Sequence, residues 1–454
     1  MSSNSYPPSI ERVGDFVLQR ESSRIPEDVR HFVCLLLLDT LGVAAAARSM
    51  EPARIARDIA TRLYGAGPGG PSAKMLFDGR RASVPGMVFA AAAQLDNLDA
   101  HDGCNPTKGH LGVVVVPALL AFAQNTPPLT GPEALAALVV GYEIGARAGR
   151  ALHMTVSDYH SSGAWNALAV AALGIRLRRA SKAHLREALG IAEYHGPRSQ
   201  MMRVIDHPTM LRDGSAWGAL AGASAVFLAE AGFTGAPAIT VETSEMAKLW
   251  SDLGENFMVT KHYFKPYPIC RWAHALIDAA LELRRVHRFG YEDIASIQLT
   301  TFREASRLFR GMPETSPVAQ YAISFPVAAA LVRWQVGVDE VSGESLADPR
   351  IGRLVALTSV RESEIYNSKF PEARFGDVTV VLGDGRELRS GSVNARGGPE
   401  APLSEEEILA KYRTYARPAL GSALSQALED AVRRLCDDGS AFSPVIALSC
   451  AGTR

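Results

Sequence analysis

Through the first two thirds of the chain, apolar positions recur at intervals of three and four, separated by short Gly, Pro and Ser breaks. That spacing lines one face of a helix. It predicts helices over residues 27–47, 51–64, 83–98, 111–124, 131–152, 163–179, 182–193, 214–231 and 271–287. Several segments are apolar nearly all round and rich in small residues, as in VFAAAAQ, NALAVAALG and GALAGASAVFLAEAG. Such faces let helices approach closely around a buried central helix. No fixed repeat period recurs, so the expectation is a packed helical domain rather than a solenoid.

The pattern changes after residue 288. IASIQLTTF alternates and is rich in β-branched residues, which predicts a strand, and residues 317–335 read as helix. FGDVTVVLGDGRELRSGSV reads as two strands joined at Asp384-Gly385, a hairpin signal. Ser404 and Glu407 have the capping-box spacing ahead of a helical run to about Cys436. A smaller mixed domain therefore follows the helical one, and the last helix is free to return to the first domain.

A chain of 454 residues with 47% hydrophobic and 21% charged residues has the balance of a globular protein of two or three domains. Its net charge of −1 gives no electrostatic footprint for nucleic acid or an anionic membrane. Cys34, Cys104, Cys270, Cys436 and Cys450 are far apart and never form a CxxC pair, which argues against a disulfide framework or a zinc ribbon and fits a reducing cytosol. The start, MSSNSYPPSIERVGDF, lacks the basic and apolar parts of a secretory signal, and CLLLLDTLGVAAAA is interrupted by Asp39 and too short to span a bilayer. The expectation is a soluble cytoplasmic protein without nucleic-acid or membrane partners.

The densest chemistry lies at residues 95–124, LDNLDAHDGCNPTKGHLGVVVVPALLAFAQ. Asp96, Asp99 and Asp102 accept protons, His101 and His110 titrate near neutrality, and Lys108 adds fixed positive charge, a set suited to acid and base work on a small anion. The same residue types make ordinary surface turns, and composition alone leaves the two readings evenly balanced. A metal held by His101, Asp102 and His110 is a minority reading, because the spacing is not that of HExxH and no CxxC supports it.

Three further segments carry candidate chemistry. His153 and His160 flank a polar break, and His160 precedes the helix beginning near Gly163, where free backbone N–H groups favour an anion; the bland alternative is a Ser161 or Ser162 cap. Arg203, His207, Arg212 and Asp213 lie in a Gly- and Pro-broken stretch, where Arg suits bidentate grip of a carboxylate. In KHYFKPYPICRWAH, at residues 261–274, two prolines stiffen the backbone around Tyr267 and present Lys265 as an anion clamp or base. This segment also suits a domain junction, where clefts form. There is no GxGxxG after a strand and no GxxxxGK[ST], so nucleotide use is not expected.

Taken in order, LDTLGVAAAA, LDNLDAHDG with KGHLGVVVVPALLA, GFTGAP, FKPYPICRWAHALIDAAL and GGPEAPLSEEEILAKYR resemble segments of the MmgE/PrpD family. That family is named for 2-methylcitrate dehydratase and includes cis-aconitate decarboxylase and iminodisuccinate epimerase. The resemblance implies a mainly α fold: a discontinuous all-helical domain, residues 1–268 and 403–454, with a smaller α+β (α/β) lid domain, residues 269–402, and a cleft between them. It implies a homodimer with no metal and no organic cofactor, acting on a small di- or tricarboxylate by proton transfer at a carbon next to a carboxylate. A 2-methylcitrate dehydratase-type hydro-lyase ranks first, then an epimerase of iminodisuccinate type, then a cis-aconitate-type decarboxylase, with a non-catalytic carboxylate binder last.

By the same resemblance, Asp96, His110, His160 and Lys265 stand at the family's catalytic positions, and His101, Asp102, Lys108, Arg212, Tyr267 and Cys270 are expected to bind substrate. Ala100 stands where a Thr is usual, Arg212 where Lys is usual, and Cys270 where the decarboxylases have His. Phe325 occupies a place where Tyr is common, which predicts a lost phenolic donor.

Overall fold

Helices follow the apolar spacing through the first half of the chain: α1 (Pro8–Gln19), α2 (Glu27–Ala47), α3 (Glu51–Leu63), α4 (Val84–Asp96), α5 (Gly112–Ala123), α6 (Gly131–Thr155), α7 (Gly163–Leu177), α8 (Lys182–His195), α9 (Met202–Asp206) and α10 (Ser215–Glu230). The structure, a computed structural model, describes residues 8–19 and 24–452; the first seven residues of the N-terminal stretch read as lacking a signal lie outside it. Every residue of α5 is buried, and α7, which carries the small-residue segment NALAVAALG, packs against α5, α6, α8 and α10, so both are central. α6 begins with a reciprocal capping box between Thr130 and Glu133.

Two hydrophobic cores divide between Phe264 and Tyr267. The first runs from Ile10 to Phe264 and resumes from Ile408 to Cys450. The second holds residues from Tyr267 to Leu388, joined by Met201, Val204 and Ile205 around α9. The C-terminal return is made by the helix Glu405–Leu420, which packs on α2 so closely that a Cβ at Gly42 would lie 2.9 Å from the Tyr412 ring. Among the described residues α2 is the one helix long and apolar enough to cross a membrane, and it is mostly buried in this core. The run expected to continue to Cys436 breaks at Gly421, where φ is +78°, into Glu405–Leu420 and Ser422–Arg433.

Among the described residues there are nine strands, and the two longest lie in the second core. β1 (Ser72–Lys74) pairs with β2 (Arg81–Ser83), and β3 (Gly103–Cys104) with β4 (His262–Tyr263), both antiparallel. β5 (Ile294–Thr301) is central in the remaining sheet, parallel to β6 (Thr358–Glu362) and antiparallel to β7 (Phe375–Leu382). β7 pairs on its other side with β8 (Glu387–Arg389) and β9 (Val393–Asn394), and Gly385, with φ of +87°, makes the expected hairpin turn. Alternate residues of β7 are buried, and the helix His274–His287 packs against that strand.

The helix expected over 317–335 is two, Ser316–Gln320 and Ser324–Arg333. Phe309 interrupts it: its N–H donates to the Tyr321 carbonyl at 3.0 Å, and its carbonyl accepts from the Ile323 N–H at 2.8 Å. These two bonds take backbone groups that a continuous helix would use, and the resulting turn brings Tyr321 to the junction of the two cores.

Candidate active site

The acidic loop is stitched to the KPYP segment by the β3–β4 ribbon, with Gly103 opposite Tyr263. Only glycine fits there, because a Cβ on Gly103 would lie 2.3 Å from Tyr263 Oη and 2.8 Å from His110 Nδ1. The ribbon sets Lys265 against the loop. Lys265 Nζ lies 2.5 Å from Asp99 Oδ1 and 2.9 Å from the Asp99 carbonyl, with both side chains buried. Burial pushes the Asp99 carboxyl up, but Lys265, helped by His110 and His101, holds it below the usual carboxylate value.

His110 projects from the last turn before α5. Its N–H donates to Ser162 Oγ at 3.0 Å, and its Nδ1 lies 2.8 Å from the Asp102 carbonyl. A carbonyl only accepts, so Nδ1 carries the proton and Nε2 presents the lone pair. Nε2 lies 3.6 Å from Asp213 Oδ2, the same oxygen that accepts from Ser162 Oγ at 2.8 Å. Burial, then the positive charge of Lys265, lowers His110 to about 4, so the ring is neutral near pH 7. Burial raises Asp213 to about 6, opposed by His110.

A narrow cleft opens above this pair. Asp99, His110, Asp213 and Lys265 form its floor, and Tyr159, Tyr263 and Tyr321 supply phenols. Lys108, Arg271 and Arg374 line it as well, the last two from beyond the division of the cores. Arg212 stands behind Tyr321, its guanidinium 5.2 Å from that ring. Asn97 and Gln320 grip Nε and Nη2 of Arg212, while buried Nη1 has no hydrogen-bond partner. Arg271 stacks 4.0 Å over Tyr263 and donates to the carbonyls of Ala395 and Arg396. Among the described residues, no carboxylate forms an ion pair with Lys108, Arg212, Arg271 or Arg374, so positive charge dominates the cleft.

Other expected site residues take different places. Asp96 ends α4 behind the loop, where it accepts from the Ser215 N–H at 3.3 Å and approaches His101 Nε2 at 3.6 Å; burial, then the charge of Asp99, raises it to about 7. His101 is wholly buried, edge-on to His110 with ring centroids 4.7 Å apart, and burial lowers it to about 3. It backs His110 instead of meeting the cleft. Asp102 turns inward, accepting from Tyr142 Oη at 3.2 Å and from the Gly112 N–H at 3.4 Å at the start of α5. It therefore anchors a helix end, against the expectation that it binds substrate. This also separates the trio proposed for a metal, and among the described residues no three His, Cys, Asp or Glu side chains converge as a metal-binding set.

The structure does not bring His160 to the cleft wall. Its backbone bridges to Gln200, its Nδ1 faces the Asp158 carbonyl at 3.0 Å, and Tyr159 takes the cleft position. The start of α7 is no anion site, because the Gly163 N–H already donates to the Asp213 carbonyl. Tyr267 points away, donating to Asp278 at 2.7 Å and lining a separate hollow with Trp334 and Tyr415. Lys108 and Cys270 do line the cleft; Lys108 sits over the Tyr159 ring, and burial pushes the Cys270 thiol up to about 12. The predicted loss of a phenol is also corrected. Phe325 is wholly buried in the second core, and Tyr321, four residues earlier, reaches the cleft.

Asp99 and Asp213 are outside the residues expected to act, although both lie in chemically loaded segments of the sequence. Arg271 adjoins Cys270 and was equally within reach. Arg374 and Tyr321 carried no local signal, because their positions depend on folding of the second core.

Fold and site together define a two-core, mainly α protein with a small α/β part and a cationic cleft between the cores. The family models for the MmgE/PrpD N-terminal and C-terminal domains match residues 11–255 and 267–437, and the chain belongs to the MmgE/PrpD family. It is 25% identical to the cis-aconitate decarboxylase-like protein oryM of Aspergillus oryzae over 93% of both chains. It is 23% identical to the cis-aconitate decarboxylase of Aspergillus terreus over 80% of both chains. With the Mus musculus cis-aconitate decarboxylase it shares 22% identity over 77% of this chain and 75% of the relative.

Proposed function

We propose that this protein is a lyase acting on a small di- or tricarboxylate by proton transfer at a carbon next to a carboxylate. The observation that carries the reading is the charge balance of the cleft. Lys108, Lys265, Arg271 and Arg374 line it with Arg212 close behind, against only Asp99, which is bound to Lys265, and Asp213. Such an excess of buried cation is costly without anions to face it, and a polycarboxylate supplies them.

The cations hold the substrate carboxylates, and those nearest the reacting carbon stabilise the enediolate that forms when its proton leaves. Neutral His110 presents Nε2 as the base. Dehydration of a 2-methylcitrate-type substrate ranks first, since a base and a carboxyl raised to about 6 stand side by side. Decarboxylation is the second reading, favoured by the names of the relatives. A cytoplasmic homodimer working without a metal or an organic cofactor belongs to the same proposal.

The test is to incubate the purified protein with 2-methylcitrate and, separately, with cis-aconitate, following carbon dioxide and the products by NMR. An alkene that keeps every carbon of 2-methylcitrate supports dehydration. Carbon dioxide from cis-aconitate supports the second reading. No change in either, or in citrate or iminodisuccinate, would remove the proposal.

A further inference from the structure

We propose that Asp213 is a catalytic residue of this cleft, delivering a proton from Oδ1 to the departing hydroxyl while Ser162 holds Oδ2. This rests on the reading of the cleft as a site for proton transfer on a polycarboxylate. Asp213 lines the cleft and is buried, yet its Oδ1 has no hydrogen-bond partner. A buried carboxylate oxygen without a donor is costly, so that atom is either protonated or facing a bound group. The other oxygen accepts from Ser162 Oγ at 2.8 Å, and His110 Nε2 stands 3.6 Å from it.

The surrounding chain is built to hold that arrangement. The Asp213 carbonyl accepts the first N–H of α7, from Gly163, which fixes the backbone. Ser162 stands at the N-cap position of α7 but caps nothing; its hydroxyl is spent on Asp213 and on the His110 N–H. Gly109 must lack a side chain, since a Cβ there would lie 2.3 Å from Ser162 Oγ. Burial, then the charges of Asp96 and Asp99, raises Asp213 to about 6 against the opposing pull of His110 and Ser162.

In the elimination, His110 Nε2 takes the proton from the carbon next to a carboxylate, and the C–H electrons form the double bond. The C–O bond breaks, and the hydroxyl leaves as water with the proton of Asp213 Oδ1. His110 has then gained one proton and Asp213 has lost one, and transfer across the 3.6 Å gap restores both. Acid and base on one side of the substrate would make the elimination syn.

The experiment compares wild type, Asp213→Asn and Asp213→Glu in deuterated buffer with 2-methylcitrate as probe. The expected result is that Asp213→Asn keeps deuterium exchange at the carbon next to the carboxylate but loses alkene formation by about a hundredfold or more, with Asp213→Glu recovering part of it. Alkene formation retained in Asp213→Asn, or exchange and alkene formation lost together, overturns the proposal. A second arm needs no turnover: calorimetry with propane-1,2,3-tricarboxylate, in buffers of different ionisation enthalpy near pH 7. Wild type should take up more protons on binding than Asp213→Asn; equal uptake, or no binding to wild type, overturns the assignment. A wild type that binds this probe but turns over no substrate sinks the lyase reading alone, and proton uptake then decides Asp213.

Discussion

Lys265 Nζ and Asp99 Oδ1 are 2.5 Å apart, and their side chains are 1% and 6% exposed. This pair ties the segment between the two cores to the acidic loop while setting the charge at the cleft floor. Removing one partner leaves the other buried and uncompensated, which costs about 3–5 kcal/mol. Asp99→Ala should lower unfolding free energy by that amount in urea titrations. Asp99→Asn combined with Lys265→Gln should lose less stability yet remain inactive. A double variant that keeps wild-type kcat/KM would show that the pair is structural only.

Asp213 and His110 set the expected pH profile. The base must be neutral, so kcat/KM should rise with pH through about 4, where His110 loses its proton. The acid must carry its proton, so the rate should fall above about 6, where Asp213 ionises. Ser162 donates to the ionised carboxylate and thereby lowers its pKa, so Ser162→Ala should move the upper limb to higher pH and leave the lower limb nearly in place.

Arg212 is held by Asn97 and Gln320 with buried Nη1 unpartnered, and the proposed function has Nη1 meet a substrate carboxylate on binding. A hydrogen bond to a charged group contributes about 1.5–3 kcal/mol. Arg212→Gln should therefore lower kcat/KM by about one to two orders of magnitude, mainly through KM. An effect confined to melting temperature would make Arg212 a structural residue.

Asp96 links the site to stability. Its carboxyl is raised to about 7 by burial, then by Asp99, against an ordinary value near 4. A raised folded-state pKa means that the stabilisation is present below the unfolded value and is lost as pH climbs through about 7. Asp96→Asn, which keeps an acceptor for the Ser215 N–H, should remove that loss. The difference in unfolding free energy between variant and wild type should grow in favour of the variant from pH 4 to pH 8, by roughly 3 kcal/mol. A difference that does not change with pH would show that Asp96 titrates normally.

Much of the fold is legible in the sequence because the central helices are long and their apolar spacing has one interpretation. The hairpin at Gly385 and the capping box at Ser404 are equally local. The three-residue strands β1 and β2 are too short to show a period, and the break at Tyr321 depends on Phe309, twelve residues away. At the site, His110, Lys265, Lys108, Arg212 and Cys270 are found at or beside the cleft. Asp102, Tyr267 and His160 are not, since the direction in which a side chain leaves a loop is set by tertiary bonds such as Tyr142 to Asp102 and Tyr267 to Asp278. A spacing pattern carries no record of those bonds.

The central claim is that His110 moves a proton at a carbon next to a carboxylate. NMR of 2-methylcitrate incubated with the protein in deuterated buffer tests it directly. The account predicts deuterium at that carbon, or its loss to an alkene, with wild type and neither with His110→Asn. Exchange undiminished in His110→Asn, or an alkene formed without His110, would contradict it.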